Sequence, residues 1–263
     1  MDMQLKGKKA LVTGASQGLG YATARGLALE GCAVAINSRN PTKLNTAVRN
    51  LESDTKGKVV GITGDITGPP FAKELIQKTV EALSGLDLLV TNAGGPPAGK
   101  FEEFGDDVWI QAVELSFLSH VRLIRAALPY LRQSTAPSVL TVTSITVKEP
   151  LPNLILSNSV RMATAGLTKS LAQELGPEGI RFNSILPGWT FTERVKNLID
   201  HRALTNDTNS EEEFQKQVAV IPLGRMGTTE EFANSAVFLL SPAASYISGV
   251  MLPVDGGLHS SSL

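Results

Sequence analysis

A glycine-rich segment near the N-terminus has the residue types and the spacing of a phosphate-binding loop. It reads Thr13-Gly-Ala-Ser-Gln-Gly-Leu-Gly20, follows a short apolar run and opens a helical pattern that continues to Glu30. Gly14, Gly18 and Gly20 permit a tight turn and let backbone N–H groups approach a pyrophosphate, while the helix start adds its positive dipole end. This context predicts a dinucleotide site, with an ordinary strand-to-helix turn as the alternative.

The elements that must position this loop alternate along the whole chain. Apolar runs that predict strands occur at residues 10–13, 33–36, 59–62, 86–90, 138–142 and 180–185. Helical patterns follow the first run and then occur at residues 44–51, 71–83, 107–132 and 157–176. The first five runs are almost continuously apolar, which is typical of parallel strands buried on both faces. We therefore expect a doubly wound parallel α/β sheet of about seven strands in a single domain, residues 1–263.

Composition excludes several classes of protein. The chain has 263 residues, 42% of them hydrophobic, and its 24 basic and 25 acidic side chains leave a net charge of −1. Neither intrinsic disorder nor a general nucleic-acid surface fits these values. The apolar runs are far shorter than a membrane span, and Cys32 alone makes neither an internal disulfide nor a cysteine-based metal site. We expect a cytoplasmic protein with no metal ion and no membrane or nucleic-acid partner.

Further short motifs occur in a fixed order after successive strands. They are Gly64-Asp-Ile-Thr67, Asn92-Ala-Gly94, Ser144, Pro187-Gly188, Pro222-Leu-Gly-Arg225, Tyr246-Ile-Ser-Gly249 and Val254-Asp-Gly-Gly257. With the glycine-rich loop, they cover essentially the whole chain. In this order they resemble the short-chain dehydrogenase/reductase family, most closely its 3-oxoacyl-carrier-protein reductase-like members. The resemblance implies a Rossmann-like fold, a nicotinamide dinucleotide cofactor and a homotetramer or dimer.

The resemblance also implies roles for individual residues. Asp65 and Ile66 would hold the adenine ring, and Asn92, Ala93 and Gly94 would line the nicotinamide side. The alternatives are a turn residue at Asp65 and a plain strand end at residues 92–94. The full set expected to contact the cofactor is Gly14, Ser16, Gly18, Leu19, Gly20, Ser38, Arg39, Asp65, Ile66, Asn92, Ala93, Gly94, Arg161, Pro187 and Gly188.

The end of the second strand favours NADP(H) over NAD(H). An acidic residue there would bond the ribose 2′-hydroxyl of NAD and repel a 2′-phosphate. This sequence instead has Ser38 and Arg39. A guanidinium binds a phosphate with two parallel hydrogen bonds, and a serine hydroxyl donates a third. NAD(H) remains the alternative, with Arg39 then a solvated loop cation.

The catalytic residues depart from the family pattern. Members carry an asparagine, a serine, a tyrosine and a lysine, and the positions that match them here are Ser116, Ser144, Ser157 and Arg161. Only Ser144 keeps its residue type. The Ser157 hydroxyl is a weaker acid than a phenol and shorter, and Arg161 holds its proton but still bonds ribose hydroxyls. We expect an altered catalytic site of Ser144, Ser157 and Arg161. The three tyrosines occur elsewhere, at Tyr21, Tyr130 and Tyr246.

Other residues are weaker candidates for moving the proton. Lys148 and Glu149 follow Ser144 on a loop, where a buried lysine with a lowered pKa could serve as an acid or, more simply, the two are a solvated pair. Asn158 is either a substrate donor or a helix-start residue. His120 lies within the long helical pattern, where packing or an interface explains it more readily than catalysis.

The segment 189–220 interrupts the alternation and is expected to form a substrate lid. Its apolar residues suggest a partly apolar substrate, although helix packing explains them equally well. They are Trp189, Phe191, Val195, Leu198 and Ile199. Ser210 with Glu211, Glu212 and Glu213 reads as a helix N-cap followed by acids at the positive end of the dipole.

Two functions of different class follow. The first is an oxidoreductase that moves hydride between nicotinamide and a small-molecule carbonyl or alcohol, with altered proton transfer. The second is a nucleotide-binding protein with little or no dehydrogenase activity that acts as a sensor, a scaffold or a partner subunit. The fold alone does not choose between them.

Overall fold

A seven-stranded parallel sheet runs through the centre of the molecule. The computed structural model describes residues 2–261. The strands are β1 (Lys9–Val12), β2 (Ala33–Ser38), β3 (Val59–Thr63), β4 (Leu88–Thr91), β5 (Ser138–Val142), β6 (Arg181–Pro187) and β7 (Met251–Val254). They lie in the order β3-β2-β1-β4-β5-β6-β7, and every neighbouring pair is parallel. The prediction of a single Rossmann-like α/β domain is confirmed.

Helices cover both faces of this sheet. They are α1 (Gly18–Leu29), α2 (Pro41–Thr55), α3 (Phe71–Leu83), α4 (Asp106–Val113), α5 (Ser119–Leu131), α6 (Ile155–Glu174), α7 (Glu193–Asn206), α8 (Ser210–Ala219) and α9 (Thr229–Leu240). Within β1, Val12 packs in one apolar cluster with Phe232 of α9, while Leu11 packs in the other with Leu75 of α3 and Leu123 of α5. Both faces of the strand are therefore buried, which explains its continuous apolar sequence.

The strand order places a crevice at the carboxyl ends of β1 and β4. The chain moves outward from β1 to β2 and β3, then returns to the other side of β1 to form β4. The connections that follow β1 and β4 consequently leave in opposite directions. Such a reversal opens a gap between neighbouring loops, where open α/β sheets bind their ligands.

The sequence predicted one unbroken helix over residues 107–132, and the structure corrects this. A π-helical turn, Glu114–Leu118, separates α4 from α5. The hydroxyl of Thr164 on α6 donates to the carbonyl oxygen of Ser116 at 2.6 Å. This contact engages a carbonyl inside the π turn from a neighbouring helix, which a local sequence pattern does not reveal. The Ser116 hydroxyl is buried and has no hydrogen-bond partner among residues 2–261.

The segment between β6 and α9, in which the sequence predicted no strand, is helical. It holds α7 and α8, and α8 begins one residue earlier than the sequence suggested. Asn209 is the N-cap and accepts from the backbone N–H of Glu212 at 2.9 Å, so Ser210 is the first helical residue. Asparagine and serine cap helices about equally well, which is why the sequence does not separate them. The three acids lie in the first turn of α8, as expected.

Residues 2–261 contain neither a membrane-spanning helix nor a cluster of metal-ligating side chains. None of the helices in this range has the length and apolar character needed to cross a membrane. Residues 2–261 also contain no group of three or more His, Cys, Asp or Glu side chains arranged to hold a metal ion.

Candidate active site

A groove of two adjoining cavities crosses the carboxyl edge of the sheet. The β2-side cavity has a volume of about 290 Å³ and is lined by residues that include Ser38, Arg39 and Asp65. The β5-side cavity has a volume of about 280 Å³, and its lining includes Ser144 and Arg161. Both cavities share one wall, which consists of Gly14, Gln17, Asn92, Ala93 and Gly94. A ligand that spans this wall reaches both cavities at once.

The glycine-rich loop needs two of its glycines for steric reasons. Gly14 has a φ of +58°, and a Cβ there would lie 2.8 Å from the carbonyl oxygen of Asn92. A Cβ at Gly20 would lie 2.5 Å from the carbonyl oxygen of Gly14. Since these neighbours are largely backbone atoms, they cannot move aside cheaply. Close packing therefore holds the loop against the end of β4.

Asn92 ties the loop to β4. Its backbone N–H donates to the Thr13 hydroxyl at 2.9 Å, and that hydroxyl donates to the carbonyl oxygen of Asn92 at 2.8 Å. The Nδ2 atom of Asn92 donates to the carbonyl oxygens of Thr13 at 3.2 Å and Gly14 at 3.1 Å. This network fixes the two sides of the crevice relative to each other.

The N-terminus of α1 opens onto the groove without a cap. Gln17 is the N-cap residue, yet no side chain accepts from the first N–H groups, and no acidic residue lies in the first turn. Gln17, Gly18 and Leu19 all line the β5-side cavity. Uncapped N–H groups and the positive end of a helix dipole attract an anion. This end of α1 fits the pyrophosphate of a dinucleotide.

The β2-side cavity holds the residues that the sequence assigned to the adenosine half. Ser16 donates its hydroxyl to the Ser38 hydroxyl at 2.9 Å, and the side chain of Arg39 is 71% exposed. An Arg39 guanidinium nitrogen lies 3.6 Å from a carboxylate oxygen of Asp65. The other Asp65 oxygen accepts from the N–H of Thr67 at 2.9 Å and its hydroxyl at 2.8 Å.

These contacts keep Asp65 ionised. Burial raises the pKa of Asp65, but the hydrogen bonds from Thr67 and the charge of Arg39 outweigh burial and leave this pKa below its usual value. Lys43 also lines the cavity, and its ammonium donates to the Gln17 side chain at 3.2 Å. Lys43 was not predicted from the sequence, although its place in the first turn of α2, directly after the Asn40 cap, indicates that it lies near the end of β2.

Ser144 and Ser157 meet at Thr146 on the wall of the β5-side cavity. Ser144 caps the short 3₁₀ turn Ile145–Val147, and its oxygen accepts from the N–H of Thr146 at 3.2 Å. Ser157 lies in the first turn of α6, and its hydroxyl is 3.3 Å from that of Thr146. Within the described chain the Ser144 hydroxyl accepts a hydrogen bond and donates none, so its proton is available to another oxygen.

Arg161 lies one turn beyond Ser157 on the same face of α6. It is 7% exposed, and its Nη1 donates to the carbonyl oxygens of Val142 at 3.2 Å and Thr143 at 2.7 Å. No carboxylate among residues 2–261 forms an ion pair with it. Burial, with a smaller contribution from the charge of Arg194, lowers the pKa of Arg161 to about 10. Arg161 remains a cation at neutral pH.

The structure does not bring the weaker candidates into the groove. His120 is buried on α5, where its Nδ1 lies 2.7 Å from the Thr91 hydroxyl, and burial followed by the charge of Arg161 lowers its pKa to about 3. Asn158 donates to the carbonyl oxygen of Leu151 at 2.9 Å. Glu149 accepts from the N–H of Ser260 at 3.0 Å. Neither cavity is lined by any of the following residues: His120, Lys148, Glu149, Asn158, Tyr21, Tyr130 and Tyr246.

The segment after β6 supplies the wall opposite Ser144. Trp189, Val195 and Leu198 line the β5-side cavity, whereas Ile199 packs inward and Phe191 stands edge-on to a neighbouring ring. The sequence reading also missed Arg194. Its guanidinium donates to the carbonyl oxygens of Gly95 at 3.0 Å and Pro96 at 3.2 Å, which connects α7 to the loop after β4.

Comparisons with known proteins agree with this fold. A family model described as enoyl-(acyl carrier protein) reductase matches residues 14–259. An oxidoreductase of Bacillus subtilis strain 168, called YvrD and described as uncharacterized, is 32% identical over 262 residues, which is 98% of each chain.

Solved structures show the same architecture. L-sorbose reductase from Gluconobacter frateurii, solved with NADPH and L-sorbose, superposes with a TM-score of 0.95 at 30% identity, over 99% of this chain and 100% of its own. An NADPH-bound short-chain oxidoreductase from Pseudomonas aeruginosa PAO1, described as containing an atypical catalytic center, superposes with a TM-score of 0.89 at 29% identity, over 97% and 98%. With matches over nearly its full length in both sequence and structure, this chain belongs to the short-chain dehydrogenase/reductase family of oxidoreductases.

Proposed function

We propose that this protein transfers hydride between NADP(H) and a small-molecule carbonyl or alcohol, at a site in which Ser144, Ser157 and Arg161 replace the usual tetrad. One observation carries the proposal. The uncapped N-terminus of α1 opens into the same groove that ends at these three side chains. A dinucleotide whose pyrophosphate binds at α1 has its two halves directed into the two cavities.

The β2-side cavity supports NADP(H) over NAD(H). Ser38 and Arg39 stand at the end of β2, and the exposed Arg39 guanidinium is available to a ribose 2′-phosphate. The Asp65 carboxylate lies 3.6 Å from that guanidinium, so a bound phosphate would have to displace this weak ion pair. The two structural relatives described above were both solved with NADPH. NAD(H) remains the alternative.

The remaining cofactor contacts are part of the same proposal. Ser16 and Ile66 line the β2-side cavity with the adenosine half, and Asn92, Ala93 and Gly94 form the wall that both cavities share. Pro187 and Gly188 close the nicotinamide end beside Trp189.

In reduction, NADPH supplies the hydride, and the side chains of this chain handle the oxygen. The Ser144 hydroxyl donates a hydrogen bond to the carbonyl oxygen, while Arg161 stabilises the negative charge that develops there. Arg161 keeps its own proton because its pKa is about 10. The proton that completes the alcohol then comes from water, because Ser157, at the tyrosine position, is a weaker acid than a phenol and too short to supply it. Loss of a positioned acid costs about 10²–10⁴ in rate, which predicts slow turnover.

We also propose that segment 189–220 acts as the substrate lid and that the chain forms a homo-oligomer. The lid proposal is supported by Trp189, Val195 and Leu198, which form one wall of the cavity. Exposed Ile110 on α4 and exposed Phe101 in the 3₁₀ turn before it, with a fully exposed Tyr246, are consistent with a subunit interface. Light scattering coupled to size-exclusion chromatography measures the number of subunits.

The experiment that tests the function measures NADPH binding and steady-state turnover together on a broad panel of ketones and alcohols. We expect NADPH binding in the micromolar range and slow turnover on part of the panel. Tight NADPH binding with no turnover on any substrate would favour the nucleotide-binding alternative. No nucleotide binding at all would contradict both functions.

A further inference from the structure

The β5-side cavity is lined by two arginines that form no ion pair with any described residue. Its lining is otherwise largely apolar, with Ile145, Leu154 and Trp189 among the side chains. Arg161 is buried on the wall formed by α6, and Arg194 lies on α7, exposed at the rim. They are close enough for the charge of Arg194 to lower the pKa of Arg161.

Both guanidinium groups bond only to backbone carbonyls. Arg161 uses one nitrogen for the carbonyl oxygens of Val142 and Thr143, and Arg194 uses two for those of Gly95 and Pro96. Within residues 2–261, neither arginine forms an ion pair. Cations in an apolar cavity are stabilised by a matching anion, and a guanidinium matches a carboxylate with two parallel hydrogen bonds.

The only acidic residue in the lining argues for a singly charged ligand. Glu193 lies beside Arg194 in the first turn of α7 and is exposed, with no ion pair to either arginine in the described chain. Its negative charge at the rim repels a phosphate dianion more strongly than a carboxylate. Such a ligand adds one negative charge to a lining that carries two positive charges and one negative charge.

The pyrophosphate of the cofactor is a second possible source of negative charge. The uncapped N-terminus of α1 already offers N–H groups for it, close to the start of α7, since a Cβ on Gly18 would lie 3.6 Å from Cγ2 of Thr192. Arg194 instead contacts the loop at Gly95 and Pro96, directly after Gly94 at the nicotinamide end. This position favours the substrate over the pyrophosphate.

We propose that Arg161 and Arg194 form a carboxylate site for the substrate, so that the carbonyl compound reduced here is a small oxo acid and the alcohol is the matching hydroxy acid. This proposal rests on the proposed function, because it names the substrate class of the same site. Arg194 determines specificity in this account, whereas Arg161 also serves the reacting oxygen.

Kinetics on matched substrate pairs test the proposal. Each pair is an oxo acid and its methyl ester, which differ only in the charge. We expect the wild-type enzyme to prefer the acid by about tenfold or more in kcat/KM, mainly through KM. Arg194→Gln should reduce this preference to less than threefold, because it lowers kcat/KM for the acid far more than for the ester, and Arg194→Lys should retain part of it. Lys196→Gln, which removes an exposed cation two residues along α7, is the matched control and should change nothing.

Two calorimetric titrations separate the possible outcomes. In the first, a saturated carboxylate that lacks a ketone group is titrated into the protein in the presence of NADPH, and its methyl ester is titrated in a parallel run. In the second, NADPH alone is titrated into the protein. The proposal requires that Arg194→Gln weaken binding of the carboxylate about tenfold and leave NADPH affinity within twofold. Weaker NADPH binding with an unchanged acid preference would assign Arg194 to the pyrophosphate and overturn the proposal.

The failure of this proposal is distinguishable from failure of the proposed function. Equal turnover of acids and esters by the wild-type enzyme overturns the carboxylate site and leaves the reductase function standing. Carboxylate binding that depends on Arg194, with no turnover of any pair, supports the anion site and contradicts the reductase function.

Discussion

The guanidinium of Arg161 donates to the carbonyl oxygen of Thr143 at 2.7 Å, which anchors a buried cation at the end of β5 beside Ser144. The contact uses Nη1, and the other nitrogens of the group donate to no residue in the described range. A lysine at this position would have a single side-chain nitrogen, whereas the guanidinium has three. The backbone of β5 therefore holds Arg161 at the cavity wall while part of its guanidinium remains available to a ligand.

The charge of Arg161 predicts how turnover depends on pH. Its pKa is about 10, so the group stays fully charged from pH 6 to pH 9 and loses its proton as the pH rises further. We expect kcat/KM for reduction to be flat over that interval and to fall above about pH 10. A profile that bends near pH 6–7 would indicate that a different group controls the reaction.

Restoring the family residues should increase reduction of simple ketones. In Ser157→Tyr combined with Arg161→Lys, a phenol and an ammonium occupy the same face of α6, four residues apart, and supply the missing proton donor. We expect generic ketone reduction to rise by about tenfold or more, measured as NADPH oxidation at 340 nm. A fall in activity, with NADPH affinity unchanged, would mean that the native Ser157 and Arg161 have a chemistry of their own.

Arg39 should control the choice of dinucleotide. Arg39→Gln removes the guanidinium that we propose binds the 2′-phosphate, and we expect NADPH affinity to fall about tenfold with little change for NADH. Titration of both cofactors by fluorescence measures this ratio. Arg49→Gln, an exposed position farther along α2 that lines neither cavity, should leave both affinities unchanged. Equal losses for NADPH and NADH would show that Arg39 does not contact the phosphate.

Gly20 should tolerate no side chain. Gly20→Ala places a Cβ 2.5 Å from the carbonyl oxygen of Gly14, so we expect a loss of about 1–3 kcal/mol in stability and of NADPH binding. Gly166→Ala is the control, because a Cβ there meets nothing within 4 Å inside α6. That change should stabilise the protein by about 0.5–1 kcal/mol in thermal melts. A Gly20→Ala protein that binds NADPH normally would contradict the loop geometry.

Glu213 should make the segment of α7 and α8 sensitive to acid. Hydrogen bonds from Lys216, Asn206 and Thr208 lower its pKa from 4.5 to about 2. A lowered carboxylate pKa stabilises the fold above the unfolded value of 4.5, and this contribution is lost as the pH falls from 4.5 toward 2.

Hydrogen exchange of residues 193–219 measures this effect. At pH 7, Glu213→Gln should expose these amides more than the wild type, and the difference should shrink below pH 4.5. Glu211→Gln, at an exposed position in the same helical turn, should have little effect at either pH. An equal response of the two variants would mean that the buried hydrogen bonds do not hold the segment.

The sequence predicted the sheet because its strands are buried on both faces, as Leu11 and Val12 show. It did not locate β7, whose residues are only partly buried and include Pro253, nor α9. The π turn at Ser116 was also missed, because it depends on a contact with Thr164 on another helix. Contacts between elements distant in the chain are absent from local patterns.

Contacts between distant elements also explain why the glycine-rich loop and Ser144 were predicted as site residues whereas Arg194 was not. The glycine-rich loop and Ser144 follow strands directly, so their place at the sheet edge follows from the strand order. Arg194 reaches the cavity through its bond to Gly95, which lies 99 residues earlier in the chain. Nothing in the residues around Arg194 indicates that contact.

Transfer of deuterium from NADPH tests the central claim most directly. NADPH labelled with deuterium at C4 of the nicotinamide is incubated with the protein and the ketone panel, and the alcohol products are analysed by mass spectrometry. We expect each alcohol product to carry one deuterium at the former carbonyl carbon. In Ser144→Ala the rate of this transfer should fall about 10²-fold or more. NADPH that binds tightly but delivers no deuterium to any product would contradict the proposed hydride transfer.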